Sequence, residues 1–155
     1  MSQELLRHTL ATLAYRAGRA LRNAPPEFAS YRADATSRTP AEILAHMGDL
    51  FDWALSIANG NQAWHNSEPL AWDQEVARFY ATLERFDQRL ASAEPIDSTG
   101  EKLFQGPIAD AINHVGQLAM LRRMAGCPVG GENFYVADIA IGRVTLEQPA
   151  PKREF

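Results

Sequence analysis

The sequence has one cysteine, Cys127, no apolar run long enough to form a membrane-spanning helix, and no excess of basic charge. A lone cysteine excludes an internal disulfide and suits a reducing compartment, where Cys127 reads as a small buried residue. A spanning helix needs about 20 predominantly apolar residues in succession. No segment supplies them, so no membrane is expected as a partner. Lys and Arg number 15 against 19 Asp and Glu, a net charge of −4, and no basic cluster is interleaved with aromatics. Nucleic acid is disfavoured on that ground, because phosphate binding draws on a concentrated basic face. Glu4, Arg7 and His8 interrupt the apolar residues at the N-terminus, so no signal-peptide core is read there and the expected location is the cytoplasm.

What is present fits one globular domain. Apolar residues make up 46% of the 155 and charged residues 22%, enough to build a core and too apolar for a disordered chain. Four stretches have helical periodicity. The first, about Ser2 to Asn23, places Leu6, Leu10, Leu13, Ala17 and Leu21 on one face and stops at Ala24-Pro25-Pro26. The second has Thr39 as N-cap, Pro40 at the first helical position and Glu42 to complete a capping box, and Gly60 fits its C-terminal end. A third runs from Val76 to Leu90 with the stripe Val76, Phe79, Tyr80, Leu83, Phe86 and Leu90. A fourth, roughly Pro107 to Ala125, is apolar on nearly every side and is expected to be the most buried. The reading is an all-α four-helix bundle over residues 1–127, with a long crossover after helix 1 through Glu27 to Arg38. Residues 128–155 follow as an extended C-terminal tail packed on the bundle surface.

On the fourth helix Asp110, His114 and Gln117 fall at i, i+4 and i+7, one face of an otherwise apolar cylinder. A carboxylate and an imidazole buried there need each other or a cation. An i, i+4 pair of oxygen and nitrogen donors grips one metal ion from a single helix, and a third ligand must come from elsewhere. His46, beside the stripe of the second helix, is the first candidate, ahead of His65 in a loop and His8 on the first helix. The plainer alternative is an Asp110–His114 pair without metal. Gln117 either holds a ligand from behind or fills a polar gap. Trp53, Phe51 and Trp64 either wall a pocket or belong to the core. Asp49, one turn from His46, is a candidate base or a solvated surface residue.

The run Asp110-Ala-Ile-Asn-His114-Val-Gly116-Gln117, followed by Leu121-Arg122-Arg123 and Gly126, resembles the last helix of the DinB/YfiT superfamily. There two histidines separated by three residues precede Gly-Gln and a Leu-Arg-x-x-Gly ending. Glu42-Ile-Leu-Ala-His46-Met resembles that family's first histidine motif, and the likeness covers about residues 4–127. It implies a bundle with one crossover in which three histidines bind a divalent metal, with His46 and His114 as two of the ligands. Asp110 departs from the pattern, standing where the family has its middle histidine. Two imidazoles and a carboxylate form a harder set that suits zinc with an open position, or iron, manganese or nickel.

The resemblance further implies a metal-dependent hydrolase or a thiol-dependent S-transferase acting on a small molecule, with a low-molecular-weight thiol as possible co-substrate. The competing expectation is a non-catalytic, stress-associated protein whose site is structural or empty. A homodimer is also expected, with the apolar patch from Tyr135 to Ile141 as its interface.

Overall fold

Ser2 caps the first helix, α1 (Gln3–Leu21), its hydroxyl accepting from the Leu5 N–H at 3.2 Å. The computed structural model describes residues 1–155. The expected face of α1 is buried, and the helix stops before Asn23, which takes a left-handed φ of 56° that asparagine tolerates. A short 3-10 turn at Pro26–Ser30 buries Phe28 and precedes α2 (Pro40–Ala58). Both bonds of the capping box are made: the Glu42 N–H donates to Thr39 Oγ1 at 3.2 Å, and the Thr39 N–H to Glu42 Oε2 at 2.7 Å. Gly60 follows with φ +73°, as its position past the helix end requires.

The third helix, α3 (Trp72–Ala91), starts four residues before its apolar stripe. Asp73 and Glu75 lie in its first turn, where carboxylates favour the positive end of the helix, and Glu75 Oε2 also accepts from the Leu70 N–H at 2.9 Å. The fourth helical run also begins earlier than Pro107. Thr99 caps α4 (Gly100–Leu103), a π-turn over Phe104–Ile108 follows, and α5 (Ala109–Met124) completes it. Pro107 therefore lies inside a helical run, within a widened turn, instead of opening it.

The chain is all-helical, without a strand, and compatible with a helical bundle. α1 and α2 each pack against both α3 and α5, around one core that includes Leu10, Leu44, Met47, Phe51, Phe79, Phe86 and Leu118. The most buried helix is α2, not the fourth. On α5 only Ala111, Val115, Leu118 and Leu121 of the apolar residues are buried, while Ile112, Met120 and Met124 are exposed. Ile112 and Met120 face a groove between α1 and α5 that is not filled by side chains. Arg122, also buried, crosses to the end of α1 and donates to the carbonyls of Ala20 at 2.9 Å and Arg22 at 3.1 Å, as well as to Cys127 at 2.8 Å.

After α5 the backbone forms one 3-10 turn (Phe134–Val136) and a single bridge between Glu132 and Glu154. The Tyr15 hydroxyl donates to Glu132 at 2.5 Å, Arg19 reaches Glu132 and Glu154, and Val144 enters the core. Tyr135 is 96% exposed and Ile141 is exposed as well.

Candidate metal centre

α2 carries His46 and α5 carries Asp110 and His114 to the same point between the two helices. His46 Nε2 lies 3.2 Å from Asp110 Oδ2, His114 Nε2 lies 3.5 Å from Asp110 Oδ1, and the two imidazole rings meet edge to face with centroids 4.9 Å apart. One donor atom from each residue lies within 4.8 Å of the others. Ligands held at about 2.0–2.1 Å by a tetrahedral ion sit about 3.4 Å from one another, so these spacings fit a shared cation.

The burial differs from the sequence-based expectation. The side chain of His114 is 9% exposed and that of His46 20%, but that of Asp110 is 46% exposed. Asp110 therefore stands at the rim of the cluster. Its solvent contact removes most of the desolvation cost that a buried carboxylate would carry. The cluster thus has a closed back, made by the imidazoles, and an open front.

Each imidazole is oriented from behind. Gln117 is exposed on α5, and its Oε1 lies 2.8 Å from His114 Nδ1. An acceptor there keeps the proton on Nδ1 and leaves the Nε2 lone pair facing Asp110. His46 packs against the edge of Trp64 at 5.7 Å between centroids, and Trp64 in turn meets Trp53 at 5.8 Å. Burial pushes the His46 imidazole below its usual pKa, and the nearby His114 and Arg38 act in the same direction. The Asp110 contact opposes them. The neutral, ligating form of His46 is favoured. Of the three aromatics expected to wall a pocket or fill the core, Phe51 is core, Trp53 packs partly buried against the core, and Trp64 lies beside His46.

Two hollows open beside the cluster. One of about 390 Å³ is lined mainly by polar side chains, His46, Arg32, Arg38, Glu42, Asp49 and Glu68 among them. The other, about 430 Å³, includes His114, Gln117, Ile43, Leu121 and Arg38. Arg38 borders both, so an anionic group entering either one meets a guanidinium near the imidazoles. Arg32 and Arg38 stand in the connection before α2, and nothing in the sequence pattern places them beside the cluster.

A second constellation, Asp49, Asp52 and His65, also places its donors within 4.8 Å of one another. Asp49 is 2% exposed, so neither solvated surface nor a free base describes it. It is held by Arg78, by the Ser67 hydroxyl at 2.7 Å and by the Ser67 N–H at 2.8 Å. Asp52 pairs with Arg85 at 2.7 Å, and His65 sits 3.2 Å from each carboxylate. The carboxylates already face guanidinium groups. Their arrangement joins α2 to α3 and pins the loop that carries Trp64. His65 therefore belongs to this clamp and His8 is exposed on α1, so neither joins the cluster of His46, Asp110 and His114.

Fold and cluster together define an all-helical protein with a histidine–carboxylate site open to solvent between two helices. Comparison with protein-family models, with curated proteins and with solved structures returned no match.

Proposed function

We propose that His46, Asp110 and His114 hold one divalent cation and that the chain is a metal-dependent enzyme of the DinB/YfiT kind, a hydrolase or a thiol-dependent S-transferase. The observation that carries this reading is the convergence of two imidazoles and one carboxylate, from separate helices, at spacings a single ion would bridge. The diagonal relation of α1 and α2, each packed against α3 and α5, supports the crossover topology of that kind of bundle. A cation with an open position would supply a nucleophile by lowering the pKa of a water or thiol at neutral pH.

The protein's own groups divide the remaining work. Gln117 fixes the His114 tautomer, and Trp64, itself met edge to face by Trp53, keeps the His46 ring in place. Arg38, which borders both hollows and has no acidic partner, attracts and orients a small anionic substrate, whereas Arg32 is held by Glu42 at 3.0 Å. Exposed Tyr135, Val136 and Ile141 support self-association into a homodimer, and the absence of any helix long and apolar enough to cross a membrane fits a cytoplasmic setting.

Elemental analysis of protein purified without chelator or affinity metal tests the proposal. One equivalent of metal in the wild type and none in His114→Ala is the expected result. A wild type that lacks metal and takes up none from added zinc, nickel, iron or manganese salts overturns it. A second reading, a non-catalytic protein with an empty site, is favoured by one observation: Asp110 already contacts both imidazoles at 3.2 and 3.5 Å. That second outcome of the metal analysis would support it.

A further inference from the structure

On the other side of α5 the tail roofs a groove of about 560 Å³ between α1 and α5, of the size that holds small organic ligands. Its walls are unequal. Leu13, Ile112, Val115 and Met120 make an apolar floor, and Ile112 and Met120 are exposed along it. Three arginines, Arg16, Arg19 and Arg123, line it against one carboxylate, Glu132. The Tyr15 hydroxyl donates to Oε1 of that fully buried carboxylate, and Arg19 Nε lies 3.2 Å from Oε2, which has no hydrogen bond. Arg16 lies over the Phe134 ring at 4.1 Å and has no acidic partner, nor has Arg123. A chain with an overall charge of −4 thus concentrates unpaired positive charge at one apolar groove.

The groove is open where a side chain could have closed it. Gly116 lies on its floor in the middle of α5, and a Cβ there would meet nothing within 4 Å. A mid-helix glycine weakens the helix without being required by any close approach here, and its effect is to leave room.

We propose that this groove binds an elongated carboxylate with an apolar chain, the chain lying over Gly116 between α1 and α5 and the carboxylate meeting Arg16 and Arg123. The buried Glu132 clamp supplies the roof by tying the tail to α1. The apolar floor rewards a chain of several methylenes, and the two unpartnered guanidiniums select an anionic head over a cationic one. The site uses none of His46, Asp110 or His114, so it stands or falls apart from the metal proposal.

Isothermal titration of the full chain with decanoate tests this, with acetate and decyltrimethylammonium as head-only and opposite-charge probes. Saturable one-to-one binding of decanoate alone is expected. Gly116→Leu abolishes it while thermal stability is kept or raised, Arg123→Gln weakens it about tenfold, and His114→Ala leaves it unchanged. Absence of decanoate binding overturns the proposal, as does equal binding of decyltrimethylammonium. Should Gly116→Leu fail to fold, Arg123→Gln decides alone, because Arg123 is exposed and unpaired. Unaltered decanoate affinity in that variant overturns the assignment.

Discussion

Gln117 lies one turn beyond His114 on α5, and its Oε1 sits 2.8 Å from the imidazole Nδ1, the atom that faces away from Asp110. A ligating histidine needs such an acceptor to keep its other nitrogen free. Gln117→Ala is therefore expected to weaken metal binding about 10–100-fold. Thermal stability should change little, since the residue is exposed. Competition with a chromogenic chelator measures the change, and an unaltered affinity would show that the Gln117 contact is incidental.

Arg78 sits between two carboxylates that are almost wholly removed from water. It donates to Glu75 at 2.9 Å, to Asp49, and to the Ala45 carbonyl at 3.2 Å. Removing the guanidinium leaves Asp49 and Glu75 buried without a counter-charge. Arg78→Met should cost about 3–5 kcal/mol in urea unfolding. Asp52→Asn, which cuts the more exposed Arg85 pair, should cost less and leave the metal stoichiometry unchanged. Loss of metal in Asp52→Asn would mean that the second constellation, not the first, takes the ion.

The Tyr15 hydroxyl is held above its ordinary pKa, at about 12, by burial and by its bond to the Glu132 carboxylate. In the unfolded chain the same group titrates near 10.0. A pKa raised on folding means that the unfolded state loses its proton first. The contribution is complete below pH 10 and is lost as the pH rises towards 12. Melting temperatures followed across that window should fall in the wild type and fall less steeply in Tyr15→Phe. Parallel curves for the two proteins would contradict the assignment. Tyr80, also buried, shifts upward too, so the difference between the curves is the quantity that isolates Tyr15.

Arg122 ties the last turn of α1 to the end of α5 through three carbonyls, those of Ala20, Arg22 and Cys127. Arg122→Leu fills part of the volume but leaves those acceptors without a donor. A loss of about 1–3 kcal/mol is expected. Chemical denaturation monitored by circular dichroism gives the value, and a neutral substitution would mean that water replaces the guanidinium.

The helices were legible because their signals are local. Thr39, Pro40 and Glu42 specify a start within four residues, and the stripe of α3 repeats at the helical period from Val76 to Leu90. Burial of the fourth helix is not legible in the same way, because hydrophobicity alone does not say whether Ile112 and Met120 are covered. Pro107 was misplaced for a related reason: a proline reads as a helix start, and only the preceding turns reveal the π-turn that accommodates it. Spacing put Asp110 and His114 on one face, but nothing local says that His46, 64 residues earlier, lies 3.2 Å from Asp110. The Asp49, Asp52 and His65 cluster went unseen because its partners, Arg78 and Arg85, depend on the register between two helices.

The carboxylate at position 110 is the residue that sets this site's chemistry apart from a three-histidine centre. Two imidazoles and one carboxylate accept harder ions such as manganese more readily than three imidazoles do. Asp110 is 46% exposed, so an imidazole can replace it without displacing the core. Asp110→His should raise the affinity for zinc and nickel and lower that for manganese, widening the gap that the order of divalent-metal affinities already sets. Competition titrations of manganese against zinc on the two proteins give the ratio directly. A ratio that does not move would place the carboxylate outside the coordination sphere, with His46 and His114 left to find a third ligand in solvent.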